Sequence, residues 1–136
     1  MYKAIMVPID LSQAEKGNAI VEVAKKLGDE GTRIMLINVV ADVPTYPAAE
    51  ILGDIIEKSK ENAHSSLEAM AKAAGVKADV EVRSGRPAAT ILAAAEQKAA
   101  DLIIIASHQP GLQDYLLGST ASRVVRHATC SVLVVR

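Results

Sequence analysis

Ile34-Met35-Leu36-Ile37-Asn38-Val39-Val40 carries six apolar side chains and one polar one, Asn38. A strand with one wet face alternates polar and apolar residues. A run apolar at nearly every step is buried on both faces, as in a parallel sheet covered by helices. The stretch therefore points to an α/β protein, and its flanks supply the rest of the order.

Toward the N-terminus, Ala4 to Val7 is a second apolar run, stopped by Pro8, whose missing N–H suits a strand end. Between the two runs, Ser12-Gln13-Ala14-Glu15 has the S-x-x-E pattern of a capping box with Ser12 as cap. Ile20, Val23, Ala24 and Leu27 follow at helical spacing, up to Gly28 as the C′ residue.

Toward the C-terminus, Ala41 to Pro47 reads as a loop, with Pro44 and Pro47 as breakers. A long helix is expected from about Ala48 to Ala74, with Leu52, Ile55, Ile56, Ala63, Leu67, Met70, Ala71 and Ala74 along one side and Gly75 closing it. Ala78, Val80 and Val82 alternate with Asp79, Glu81 and Arg83, the pattern of a strand with one wet face near a sheet edge. Pro87 fits the first turn of a third helix containing Ile91, Leu92 and Ala95. Leu102 to Ala106 is the fourth strand and Ser107 to Leu117 a turn-rich loop. Gly118 then leads into a fourth helix with Ala121, Val124, Val125 and Ala128 inward, and Val132 to Val135 is the fifth strand. Strands and helices in strict alternation imply parallel strands joined by right-handed crossovers, hence an open, doubly wound α/β sheet with helices on both faces. With no internal repeat or linker, residues 1–136 are expected to form a single domain.

Half the residues are hydrophobic, but only 2% are aromatic and Phe and Trp are absent, so the core must be built from Val, Ile, Leu, Ala and Met. Fifteen basic residues against sixteen acidic ones give a net charge of -1. That lacks the cationic excess by which phosphate-backbone binders release counterions, so no nucleic-acid partner is expected. Cys130, the single cysteine, has no internal disulfide partner, and three scattered histidines make no metal-ligand spacing. The opening, Met1 to Ser12, is neither a signal-peptide core nor a membrane span. The expectation is a cytoplasmic protein without a membrane partner.

In open sheets of this kind, ligands sit beyond the carboxyl ends of the strands where the strand order reverses. Those ends deliver Pro8-Ile9-Asp10, Asn38-Val39-Val40 and Ala106-Ser107-His108, with Gly118-Ser119-Thr120 at a helix start. A helix N-terminus offers unpaired N–H groups and positive potential to a phosphate; the competing reading is plain capping by Ser119. Asp10 either caps the next helix or bonds a base or ribose, and a capping box at Ser12 leaves it available. His108 reads as a solvent-facing loop residue, since no Ser–His–Asp arrangement is apparent. His127 complements a helix dipole, and Cys130 reads as a small buried hydrophobe. Neither a G-x-x-x-x-G-K-[ST] loop nor a G-x-G-x-x-G turn is present.

Ile5-Met6-Val7-Pro8-Ile9-Asp10, Gly85-Arg86-Pro87, Asp101-Leu102-Ile103-Ile104-Ile105, Leu116-Leu117-Gly118-Ser119, Val124-Val125-Arg126-His127-Ala128 and Val132-Leu133-Val134-Val135, in that order, resemble the universal stress proteins over essentially the whole chain. The resemblance implies an adenine nucleotide alpha hydrolase-like sheet of five parallel strands in the order 3-2-1-4-5. It also implies a homodimer and, in many members, ATP bound by a loop patterned G-x2-G-x9-G-[ST]. Here Ala106 and Gln109 occupy the first two glycine positions and the stretch to Gly118 is one residue shorter. A shortened loop of this type is similar to that of small enterobacterial members that retain nucleotide binding. Carried over residue by residue, Pro8, Ile9, Asp10 and Val39 would hold adenine and ribose. Ser107, His108, Gln109, Gly118, Ser119 and Thr120 would hold the phosphates of ATP, AMP or ADP, with Mg2+ on the phosphates, and Ala106 would also touch the nucleotide.

The first functional expectation is a stress-response regulator that binds ATP; its rivals are a dimeric scaffold without nucleotide and a slow ATP-hydrolysing or self-phosphorylating protein. No residue is assignable to catalysis. Val132 to Val135, uncharged and β-branched, would be an adhesive edge if left open, so the dimer is expected to form through Val132, Leu133, Val134 and Val135.

Overall fold

The computed structural model describes residues 1–41, 49–107 and 117–136. The loop expected at Ala41 to Pro47 lies outside them beyond its first residue, as do His108 and Gln109 and most of the Ser107 to Leu117 loop. The described elements are β1 (Ala4–Pro8), α1 (Ala14–Leu27), β2 (Arg33–Val40), α2 (Ala49–Ala74), β3 (Ala78–Ser84), α3 (Pro87–Gln97), β4 (Leu102–Ala106), α4 (Ser119–His127) and β5 (Ser131–Val135). The five strands form one sheet in the order β3-β2-β1-β4-β5, and every neighbouring pair is parallel. The doubly wound expectation holds.

Period-two geometry sends successive residues of a strand to opposite faces, and both faces are covered. Ile5, Val7, Ile34, Leu36, Leu102 and Ile104 pack with Ile20, Val21 and Ala24 of α1 and with Leu67, Met70 and Ala71 of α2. On the opposite face, Met6, Met35, Ile37, Ile103 and Ile105 meet Ala88, Ile91, Ala94 and Ala95 of α3 and Ala121 and Val124 of α4. Removing each large aliphatic side chain from water contributes about 1.5–3 kcal/mol. Central-strand apolar continuity is thus what two helical layers require.

Four details differ from the sequence reading. Ser12 does not cap α1. A 3₁₀ turn, Leu11–Gln13, precedes the helix, and Asp10 caps that turn by accepting from the Ser12 N–H. Ser119 is not a cap either; it is the first helical residue, after Gly118. Val125 is 45% exposed instead of inward, because the α4 stripe buried against the sheet is carried by Ala121 and Val124. Ile55 is 59% exposed; it lies one residue, about 100° of helix rotation, off the stripe shared by Ala63, Leu67 and Met70. The side chain of Leu52 lies outside those described.

At the edge strand β3, Asp79 is exposed while Glu81 and Arg83 pair at 2.6 Å, and Arg83 also donates to Gln97 Oε1 at 2.8 Å. Its wet face is therefore partly roofed by the end of α3. The turn into α3 needs glycine. Gly85 has φ +145°, and a Cβ there would sit 2.5 Å from Thr90 Oγ1.

Candidate functional site

The connections after β1 and β4 run in opposite directions, to β2 and to β5. The topological switch point is therefore the gap between the carboxyl ends of β1 and β4. The register shows that gap opening. β1 and β4 pair at Ile5↔Leu102 and Met6↔Ile103, whereas β1 and β2 pair through to Pro8↔Ile37. The Ile9 N–H then donates to the Ile37 carbonyl at 2.8 Å, keeping the exit of β1 on the β2 side. Ile9 points its N–H toward β2, so the alternation places the nitrogen of Pro8 toward β4. A donor is missing on the side where the ladder ends.

A cleft of about 270 Å³ occupies this gap. Six of the residues expected at the site line it: Pro8, Ile9, Asp10, Val39, Ala106 and Thr120. Three described ones do not. Ser107 is 7% exposed, beneath the surface, with its N–H donating to the Val135 carbonyl at 2.9 Å. Gly118 is buried at the head of α4, and Ser119 lines a separate groove. Cys130 is half-buried away from the cleft, and burial pushes its thiol pKa up, away from a nucleophilic thiolate.

Sequence reading missed Gln13, Lys16, Pro87 and Ile91, all of which line the cleft, as does Asn38, which it placed at the strand end without a role. Two of them organise it. The Asn38 amide donates to the Ile9 carbonyl at 2.9 Å, holding the turn after β1, and Lys16 Nζ donates to the Ser107 carbonyl at 2.8 Å, holding the chain as it leaves β4. Both left a signal. Asn38 is the lone polar residue of its strand, and Gln13, Lys16, Gly17 and Ile20 repeat at i, i+3, i+4 and i+7, so one face of α1 meets the cleft.

Asp10 is engaged without being used up. Its Oδ1 accepts from the Ser12 N–H at 3.0 Å and from Ser12 Oγ at 2.6 Å, while Oδ2 has no partner among the described residues. At the other end, α4 begins at Gly118 with no side chain capping it, and the first helical bond runs from the Ser122 N–H to the Gly118 carbonyl at 2.8 Å. Among the described residues no side chain takes up its leading N–H groups, which suit an anion.

The assembled site has aliphatic walls from Ile9, Ile37, Val39, Ile91 and Ile105. The Asp10 carboxylate also lines it, with the Lys16 ammonium and Thr120 at the start of α4. Such a cleft accommodates a ligand with a flat apolar part, hydroxyl donors and an anionic tail. Among the described residues, no group of three His, Cys, Asp or Glu side chains is placed to hold a metal ion, and no helix is long and apolar enough to cross a membrane.

The sequence model of the Universal stress protein family matches residues 1–136. A universal stress protein of Methanocaldococcus jannaschii is 33% identical over all of this chain and 83% of its own length. Universal stress protein G of Shigella flexneri is 31% identical over the full length of both. Universal stress protein UspA from Lactobacillus plantarum superposes with a TM-score of 0.82 at 25% identity, covering 99% of this chain and 98% of that one. The fold also matches a universal stress protein solved in complex with cAMP, at TM-score 0.72 and 21% identity over 99% of this chain and 97% of that one. One from Archaeoglobus fulgidus, in complex with dAMP, matches at 0.68 and 19% over 99% and 98%.

Proposed function

The chain belongs to the universal stress protein family, and from that premise we propose that it is an adenine-nucleotide-binding regulatory protein. One observation carries the reading: a cleft at the switch point that brings an aliphatic slot together with the Lys16 ammonium and a carboxylate oxygen of Asp10 that has no partner among the described residues.

In this reading the adenine lies between Ile9, Val39 and Ala106, beside Pro8. A ribose hydroxyl donates to Asp10, and the phosphates of ATP, with Mg2+, lie toward Gly118 and Thr120 and the Ser107-His108-Gln109 segment. Lys16 supplies the cation that offsets their charge. AMP and ADP fill the same slot with fewer phosphate contacts. Relatives of the same fold solved with cAMP and dAMP carry ligands of this class. The protein acts in the cytoplasm as one domain over residues 1–136, without nucleic-acid or membrane partners. In this reading hydrolysis of ATP is slow at most.

The same reading makes it a homodimer through Val132 to Val135. β5 ends the sheet, Leu133 on it is 37% exposed, and Val125 on the adjoining α4 is exposed as well. Titration with MgATP tests the nucleotide reading: saturable binding that Gly118→Val weakens supports it, and a flat titration removes it. A second reading, a dimeric scaffold that binds no nucleotide, is favoured by Ala106, whose methyl lines the cleft where glycine would leave room.

A further inference from the structure

A groove of about 510 Å³ runs between α3 and α4. Ser119, Ser122, Arg123 and Arg126 stand at i, i+3, i+4 and i+7 of α4, one continuous helix face, and line one wall. His127 adds to that wall, and Arg86, the residue preceding α3, lines the other. Among the described residues no Asp or Glu lines the groove, and none of the four basic side chains has a hydrogen bond or ion pair. Three guanidinium groups in one groove, unpaired among the described residues, are out of keeping with a chain whose net charge is -1.

We propose that this groove is a second anion site, which takes a short, free polyphosphate chain. Charge and hydrogen-bond inventory select the ligand. Guanidinium groups are donor forks that match phosphate oxygens, and the two serine hydroxyls also donate, so the polar lining favours an acceptor-rich ligand. An acidic peptide brings one N–H per residue and finds few acceptors here. Single-stranded nucleic acid gains from aromatic stacking, and no aromatic side chain lines the groove among the described residues. Arginines line both walls, so one short chain meets cations on either side. The site is separate from the nucleotide cleft and does not depend on that reading: the two cavities have no lining residue in common.

Calorimetric titration of the full chain with sodium tripolyphosphate, with and without saturating AMP, tests the proposal. One saturable site is expected, indifferent to AMP. The double variant Arg123→Gln/Arg126→Gln should weaken it by about tenfold or more, as loss of charge-assisted contacts does, while Lys16→Gln leaves it unchanged. Both arginines are exposed, so an unchanged melting temperature is expected to accompany the loss. The proposal is overturned by the absence of saturable binding, by binding that survives the double arginine substitution, or by binding that Lys16→Gln or AMP abolishes. A nucleotide cleft that fails to bind AMP leaves the arginine dependence, and so the proposal, separately measurable.

Discussion

Lys16 on α1 and Ser107 beyond β4 are 91 residues apart in sequence, and the lysine ammonium donates to the serine carbonyl at 2.8 Å. Because the Ser107 N–H is bonded to the Val135 carbonyl, both backbone groups of the residue leaving β4 are committed. The bond fixes the rim of the cleft where the chain leaves β4. Lys16→Met is therefore expected to weaken MgATP binding about tenfold and to lower stability by about 1 kcal/mol, less than a buried charged hydrogen bond because Lys16 is half-exposed. Calorimetry and denaturant unfolding measure the two effects; an affinity equal to wild type contradicts the assignment.

Two helices end alike with different residues in the left-handed position. At the end of α2, Gly75 has φ +70° and the Val76 N–H donates to the Ala71 carbonyl; at the end of α3, Ala99 has φ +54° and the Ala100 N–H donates to the Ala95 carbonyl. The left-handed conformation costs a residue with a Cβ roughly 1 kcal/mol. Ala99→Gly should raise stability by about 0.5–1 kcal/mol, and Gly75→Ala should lower it by about 1 kcal/mol. Thermal unfolding of the two single variants reads this directly, and shifts of the same sign would refute it.

Asp101 accepts from the Lys3 N–H at 2.8 Å and the Ala4 N–H at 3.0 Å, clamping the start of β1 beside β4. These bonds, the Lys3 one foremost, hold its carboxyl below the ordinary value of 3.8 against the opposing effect of desolvation. A folded-state pKa below the unfolded one means that the unfolded chain binds the proton first. The contribution is thus fully present above 3.8 and disappears as pH falls through the lower folded value. Asp101→Asn should be less stable than wild type at neutral pH, and the gap between their urea midpoints should close at acid pH. A gap constant with pH would show that the charge is not what stabilises.

Leu133→Lys places a charge on the most exposed large side chain of the edge strand. Val134 faces the α3 and α4 core, so a change there would disturb packing as well. Sedimentation equilibrium is expected to give a dimer for the wild-type chain and a monomer for Leu133→Lys with little change in melting temperature. A wild-type monomer at micromolar concentration would remove the β5 interface.

The fold was legible because Ile34 to Val40 and Leu102 to Ala106 are apolar at nearly every step, and only a doubly covered parallel sheet accepts that pattern. Pro8 and Pro87 marked their positions through local constraints on φ and the missing donor. Capping was less readable. Ser12 and Asp10 both have side chains able to cap, and the choice between them turns on a 3₁₀ turn that sequence spacing does not specify. The cleft was half legible: strand ends named Pro8, Ile9, Asp10, Val39 and Ala106, which topology alone brings together. Lys16 and Asn38 reach the site through single long-range hydrogen bonds, and no periodicity encodes those partners.

The central claim is that the cleft between β1 and β4 holds an adenine nucleotide. Mass spectrometry of the small molecules released when the freshly purified protein is denatured tests it most directly. ATP, ADP or AMP in near-stoichiometric amount, much reduced in Gly118→Val, is the expected result. A wild-type protein that releases no nucleotide and then shows no saturable uptake of MgATP would contradict it.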